Sequence, residues 1–141
     1  MSSPIRVLLV EDNPGDAELI RDTLESSKLM LEIEVVTDGA QAVDYLLKQG
    51  VFARAETPDL IMLDLNLPKM DGRQVLERVK TSERLKLVPV VILTSSDAEN
   101  DVVRSYQLGA NCYVIKPVDL AAFQSIVKAI EGFWFTVVKR P

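Results

Sequence analysis

Apolar residues fall along this chain in two rhythms. Five short runs, beginning near Ile5, Glu32, Asp59, Val88 and Asn111, are rich in branched aliphatic side chains and too short for helices. They predict buried strands. Between and after them apolar residues recur at helical spacing: Ala17, Ile20 and Leu24; Val43, Leu46 and Leu47; Val75, Leu76 and Val79; Val102, Val103 and Tyr106; Leu120, Phe123, Ile126, Val127 and Ile130. Strands such as Val7–Val10 and Val90–Leu93 show no polar face, so both of their faces must be covered. The expected class is α/β, a parallel sheet with helices on either side.

The strand ends are followed by residues that start helices. Asn13 precedes Pro14, which suits a first helical turn. Asp71 to Gln74 and Ser96 to Glu99 fit capping boxes, and Asp38 and Asp119 are simpler caps. The polar stretch between Lys48 and Pro58 is longer than usual for an α/β connection and is expected to be a surface loop rather than a binding loop. The last helix runs on into Phe133, Trp134 and Phe135, more apolar surface than one sheet face should need.

At 141 residues the chain suits one domain spanning 1–141, with 131–141 as an apolar extension of the last helix and no effector domain behind it. A net charge of −5 offers no broad attraction to a polyanion, so no nucleic acid is expected as a partner. The single cysteine, Cys112, forbids an internal disulfide and is expected to be a small buried hydrophobe. No stretch has the apolar length of a membrane span and no signal peptide opens the chain, so a cytoplasmic location with no membrane contact is expected. The absence of histidine excludes triads with a histidine base and histidine-built zinc sites. Phosphorus chemistry on this chain would have to run on carboxylates.

One such carboxylate stands out. The run Leu60–Leu63 ends at Asp64, where an acid leaving water needs a cation, donors or a chemical task. In an open parallel sheet ligands bind at the carboxyl ends of the strands. Four of those ends carry functional groups: Glu11 and Asp12 after Val10, Asp64 and Asn66 after Leu63, Thr94 to Ser96 after Leu93, and Lys116 with Pro117 after Ile115. Three carboxylates against one ammonium leave a negative balance that a hard dication with oxygen ligands offsets, and Mg²⁺ is the natural candidate. A phosphoryl group arriving at Asp64 would meet metal, the Lys116 ammonium and the Thr94 hydroxyl around its oxygens. Aspartate is a competent covalent acceptor, so the set suits an acyl phosphate. Any one of these residues alone would pass for a cap or a solvated charge; their joint placement at four strand ends does not.

These motifs resemble the receiver domain of two-component response regulators over essentially the whole chain. The resemblance makes Asp64 the phosphoacceptor and assigns Glu11, Asp12, Asp64 and the backbone carbonyl of Asn66 to Mg²⁺. Thr94 becomes the switch hydroxyl, Tyr113 the switch aromatic and Lys116 the family's lysine, with Lys116-Pro117 a cis peptide. Leu67 to Gly72 matches the turn after the phosphoacceptor. Glu11 stands where many relatives have Asp, and Ser96 occupies a variable position. The fold implied is a doubly wound five-stranded parallel sheet in flavodoxin-like order, 2-1-3-4-5, with five helices and right-handed crossovers.

The function implied is phosphorelay signalling: a sensor histidine kinase gives its phosphoryl group to Asp64, and Thr94 and Tyr113 then bias the surface of the fourth helix, fifth strand and fifth helix. Beyond its own phosphotransfer and autodephosphorylation no enzyme activity is expected. Glu11 to Asp16, the long loop before Pro58, Gly109 to Tyr113 and the aromatic ending are similar to single-domain regulators of bacterial phytochromes, which makes such a kinase the candidate partner. The last helix and its aromatic ending suggest a homodimer contact, with the alternative that the rings fold back onto the sheet. The alternative function is an aspartate-nucleophile, Mg²⁺-dependent phosphatase of the haloacid-dehalogenase kind. That chemistry wants a second acid two residues after the nucleophile, where this chain has Asn66. A nucleotide-binding module would need the Gly-x-Gly-x-x-Gly turn that the first strand lacks.

Overall fold

The computed structural model describes residues 4–27, 29–94, 109–110, 112–116 and 118–136, with side chains as far as 128. Five parallel strands form one sheet: β1 (Ile5–Val10), β2 (Leu31–Val36), β3 (Leu60–Asp64), β4 (Val90–Thr94) and β5 (Cys112–Ile115). Their order is β2-β1-β3-β4-β5, as expected. Helices α1 (Pro14–Glu25), α2 (Gly39–Leu46) and α3 (Gly72–Thr81) connect the early strands, and a C-terminal helix covers Leu120–Thr136. The expected fourth helix, with Ser96, Glu99, Val102, Val103 and Tyr106, lies outside the described residues, as do the Pro117 peptide and the side chains of Ile130 and the Phe133–Phe135 ending.

Alternate strand residues point to opposite faces and build two cores. On one face Leu8, Val10, Ile61, Leu63, Val90 and Ile92 pack with Val43 and Leu46 of α2 and Val75, Leu76 and Val79 of α3. On the other, Val7, Leu9, Leu60, Met62, Val91 and Leu93 pack with Ala17, Ile20 and Leu24 of α1 and Phe123 and Ile126 of the C-terminal helix. β3 and β4 are buried along their whole length, which is why they read as unbroken apolar runs. Edge strand β2 instead alternates, with Glu32 and Glu34 exposed.

Among the described residues the caps form as the sequence predicts. Asn13 accepts from the Asp16 N–H (3.0 Å), Asp38 from that of Gln41 (2.7 Å) and Asp119 from that of Ala122 (2.8 Å). Gln74 closes its box onto the Asp71 N–H at 3.1 Å. Leu120 departs from the expected stripe: at the very start of its helix it is 38% exposed, while Phe123 and Ile126 are buried. The Lys48–Pro58 connection contains a 3₁₀ turn at Gly50–Phe52, and Phe52 packs edge-on against Tyr45 with ring centroids 5.3 Å apart. Cys112 is half-buried among apolar neighbours, and burial pushes its thiol pKa up.

Candidate functional site

The strand registers line up the functional groups. Val10 pairs with Leu63, so Glu11 and Asp64 follow on adjacent strands; Asp64 itself pairs with Leu93, and Thr94 pairs with Ile115, the residue before Lys116. The order 2-1-3 reverses direction at β1, and α1 and α2 pack on opposite faces of the sheet. A crevice opens at that reversal, at the carboxyl ends of β1 and β3.

Two acids lie deep in it. Glu11 and Asp64 are buried, and Asp12 beside them is exposed. Carboxylate oxygens of the three lie within 4.8 Å of one another. Lys116 Nζ donates to Asp64 Oδ2 (2.8 Å), to Glu11 Oε1 (2.7 Å) and to Asp16 Oδ2 (3.0 Å). An ammonium has three protons, and each has a carboxylate to go to. The other oxygens are held by backbone: Asn66 N–H donates to Asp64 Oδ1 at 2.9 Å, and Asn13 N–H to Glu11 Oε2 at 3.3 Å.

Burial is the main reason that the Glu11 carboxyl is pushed up to about 7; Lys116 pulls it down and Asp64 pushes it further up. For Lys116 burial works to lower the pKa, but its bonds to Asp64, Glu11 and Asp16 outweigh it and hold the ammonium above its ordinary value. Three carboxylates thus share one cation, with Asp12 beside them, and burial strengthens the hold of Glu11 on a proton. That all-oxygen, electron-rich set fits a hard dication, with Glu11, Asp12 and Asp64 as the side chains able to hold it.

The turn after Asp64 is clamped on two sides. A Cβ on Gly72 would lie 2.2 Å from the Asp64 carbonyl oxygen, so α3 starts directly against the backbone of the acid. A Cβ on Gly39 would lie 1.9 Å from the Met70 carbonyl oxygen, and Lys69 pairs with buried Asp38 at 3.7 Å. Only glycine permits either approach. Neither clamp was visible from spacing.

Of the sequence-predicted residues, Glu11, Asp12, Asp64 and Lys116 converge in one cluster. Asn66 follows at the turn, exposed, and Thr94 is fully buried one residue beyond the Asp64–Leu93 pair. Tyr113 pairs with Ile92 in mid-strand, half-buried against the α2–α3 core rather than among the acids. Ser96 lies outside the described residues. Asp16 is the member that sequence reasoning missed. An acid in a first helical turn ordinarily needs no explanation beyond the helix dipole. The only available signal was that just three residues separate the end of β1 from the start of α1, which brings its first turn to the same sheet edge.

Comparison with known proteins places this geometry. Residues 7–128 match the model of the response regulator receiver domain. Response regulator Rcp1 of Synechocystis sp. (strain PCC 6803) is 43% identical over 138 residues, which are 98% of this chain and 94% of Rcp1. The crystal structure of the Mn²⁺-bound form of Rcp1 superposes with a TM-score of 0.80, covering 98% of this chain and 99% of that one. The phosphorylated cyanobacterial phytochrome response regulator RcpA superposes with a TM-score of 0.82 at 45% identity, covering 99% of both chains. No helix among the described residues is long and apolar enough to cross a membrane. With its five-stranded 2-1-3-4-5 sheet and its acidic, metal-fitting cluster at the strand ends, the chain belongs to the response regulator receiver domain family, signalling modules of histidine-kinase phosphorelays that bind a divalent metal.

Proposed function

We propose that this receiver domain takes a phosphoryl group from a sensor histidine kinase onto Asp64, with Mg²⁺ held by Glu11, Asp12, Asp64 and the Asn66 carbonyl. The observation that carries the reading is the 2.8 Å bond from Lys116 to Asp64 in a cluster that also holds Glu11 and Asp12. When bound, the metal supplies positive charge for the phosphoryl oxygens. The chain supplies the rest. Asn66 N–H, bonded to Asp64 Oδ1, fixes the carboxylate, and the second oxygen accepts from Lys116. An Asp64 oxygen attacks phosphorus, the P–N bond to the kinase histidine breaks, and its electron pair returns to the imidazole. Lys116 then turns a proton toward the new phosphoryl oxygens. Thr94, buried at the end of β4, would bond the phosphoryl group through its hydroxyl and bring Tyr113 inward, shifting the population of a partner-binding surface.

Autodephosphorylation at the same site resets the domain. Similarity to the cyanobacterial phytochrome response regulator RcpA and to the bacteriophytochrome response regulator AtBRR supports a bacterial phytochrome as the kinase. The same reading takes the domain as cytoplasmic, keeps it off nucleic acid on account of its net charge of −5, and pairs it as a homodimer through the C-terminal helix and its aromatic ending. The phosphatase alternative has no group for its acid step, since Asn66 stands at that position and donates a backbone bond to Asp64.

Labelling with a radioactive phosphodonor tests the reading. Wild type should acquire a hydroxylamine-labile label in Mg²⁺, and Asp64→Asn should acquire none. Normal labelling of Asp64→Asn would remove Asp64 from its role.

A further inference from the structure

Resting on the reading of Asp64 as phosphoacceptor, we propose that Asp16 is a positioning residue that holds the Lys116 ammonium at the mouth of the site and releases it to an incoming phosphoryl group. All three protons of the ammonium are taken, by Glu11, Asp64 and Asp16, at 2.7, 2.8 and 3.0 Å. A phosphoryl oxygen can be bonded by Lys116 only if one of them is given up. Glu11 and Asp64 have side chains 0% and 6% exposed, so water cannot replace the lost bond there. The Asp16 side chain is 39% exposed, and its bond is the longest of the three. Solvent can take over its carboxylate at least cost, so it is the partner that yields without help from the metal that Glu11 and Asp64 would hold.

Asp16 is also held in place to do this. Its own N–H donates to Asn13 Oδ1 (3.0 Å), and Asn13 N–H donates to Glu11 Oε2 (3.3 Å), so the first turn of α1 is tied to the acid at the β1 end. The Asp16 backbone is thus fixed, and its half-exposed carboxylate meets the ammonium from the solvent side. It keeps Lys116 extended across the cleft before phosphorylation and competes with the phosphoryl group for one proton afterwards.

The test is a titration of the full chain with beryllofluoride, a phosphoryl mimic, in saturating Mg²⁺. Asp16→Asn should bind it roughly two- to fivefold more tightly than wild type, the range expected from one partly exposed ion pair. Asp16→Glu, which restores a carboxylate within reach, should return to the wild-type value. Glu18→Gln removes the same charge from an exposed position of α1 and should leave the affinity unchanged. A purely structural Asp16 would lower stability without tightening binding. Equal affinities of wild type and Asp16→Asn, or an equal gain in Glu18→Gln, would overturn the role given to Asp16. Failure of wild type itself to bind would instead overturn the reading of Asp64, and this inference with it.

Discussion

Lys116 reaches Asp64 across an intervening strand. The lysine follows β5 and the aspartate ends β3, with β4 between them, yet Nζ and Oδ2 are 2.8 Å apart. Neighbouring strands lie about 4.8 Å apart, so the two backbones are separated by roughly twice that, and a lysine is among the few side chains long enough to span the gap. Two buried carboxylates, Asp64 and Glu11, depend on that one ammonium.

Removing the ammonium should therefore destabilise the metal-free protein. Lys116→Ala leaves two buried acids without their cation, at a cost of about 3 kcal/mol, the lower end for a broken buried pair because Glu11 can take up a proton. Urea unfolding in a chelator should register the loss, and added Mg²⁺ should recover much of it.

Glu11 sets a pH dependence of its own. Its carboxyl titrates at about 7 when folded and near 4.5 as a free side chain, so between these values the folded state binds the extra proton. That contribution to stability is present at low pH and is lost as pH rises toward about 7. Comparing metal-free wild type with Glu11→Gln across this window isolates it: the wild-type profile should fall relative to the variant. The same proton competes with a dication, so Mn²⁺ affinity should rise as pH passes through about 7.

Gly72→Ala places a methyl group 2.2 Å from the Asp64 carbonyl oxygen and 2.7 Å from the Leu65 Cα. The strand end and the start of α3 must part to admit it. Stability should drop by about 1–3 kcal/mol, and phosphoryl uptake should fall by more than the unfolded fraction explains. Denaturant unfolding and labelling of the same preparation separate the two losses.

Cys112 should react slowly with iodoacetamide at neutral pH. Burial among apolar side chains keeps its thiol protonated, and the thiolate is the reactive form. Alkylation should reach the rate of a free cysteine only after unfolding.

Much of this was legible in the chain. Unbroken apolar runs gave β3 and β4 because both of their faces are covered, and Asn13, Asp38, Asp71 and Asp119 marked helix starts because free N–H groups there need acceptors. Glu11, Asp12, Asp64 and Lys116 could be found together because parallel strands deliver their ends to one edge. The misses are side-chain geometry rather than pattern. Leu120 keeps helical spacing yet stays exposed, since a stripe residue in the first turn can overhang the sheet. Asp16 looked like an ordinary first-turn acid, and its bond to Lys116 spans 100 residues, which no local pattern encodes. The contact of Gly39 with Met70 is likewise set by how α2 and the turn after β3 meet.

The residue that receives the phosphoryl group can be read directly. After phosphorylation with a small phosphodonor in Mg²⁺, borohydride reduction converts an aspartyl phosphate to homoserine, which peptide mass spectrometry locates. The prediction is homoserine at position 64 in wild type, with none elsewhere and none when the donor is omitted. Homoserine at Asp12 or Asp16 with Asp64 intact, or stoichiometric label with no reducible aspartate, would contradict it.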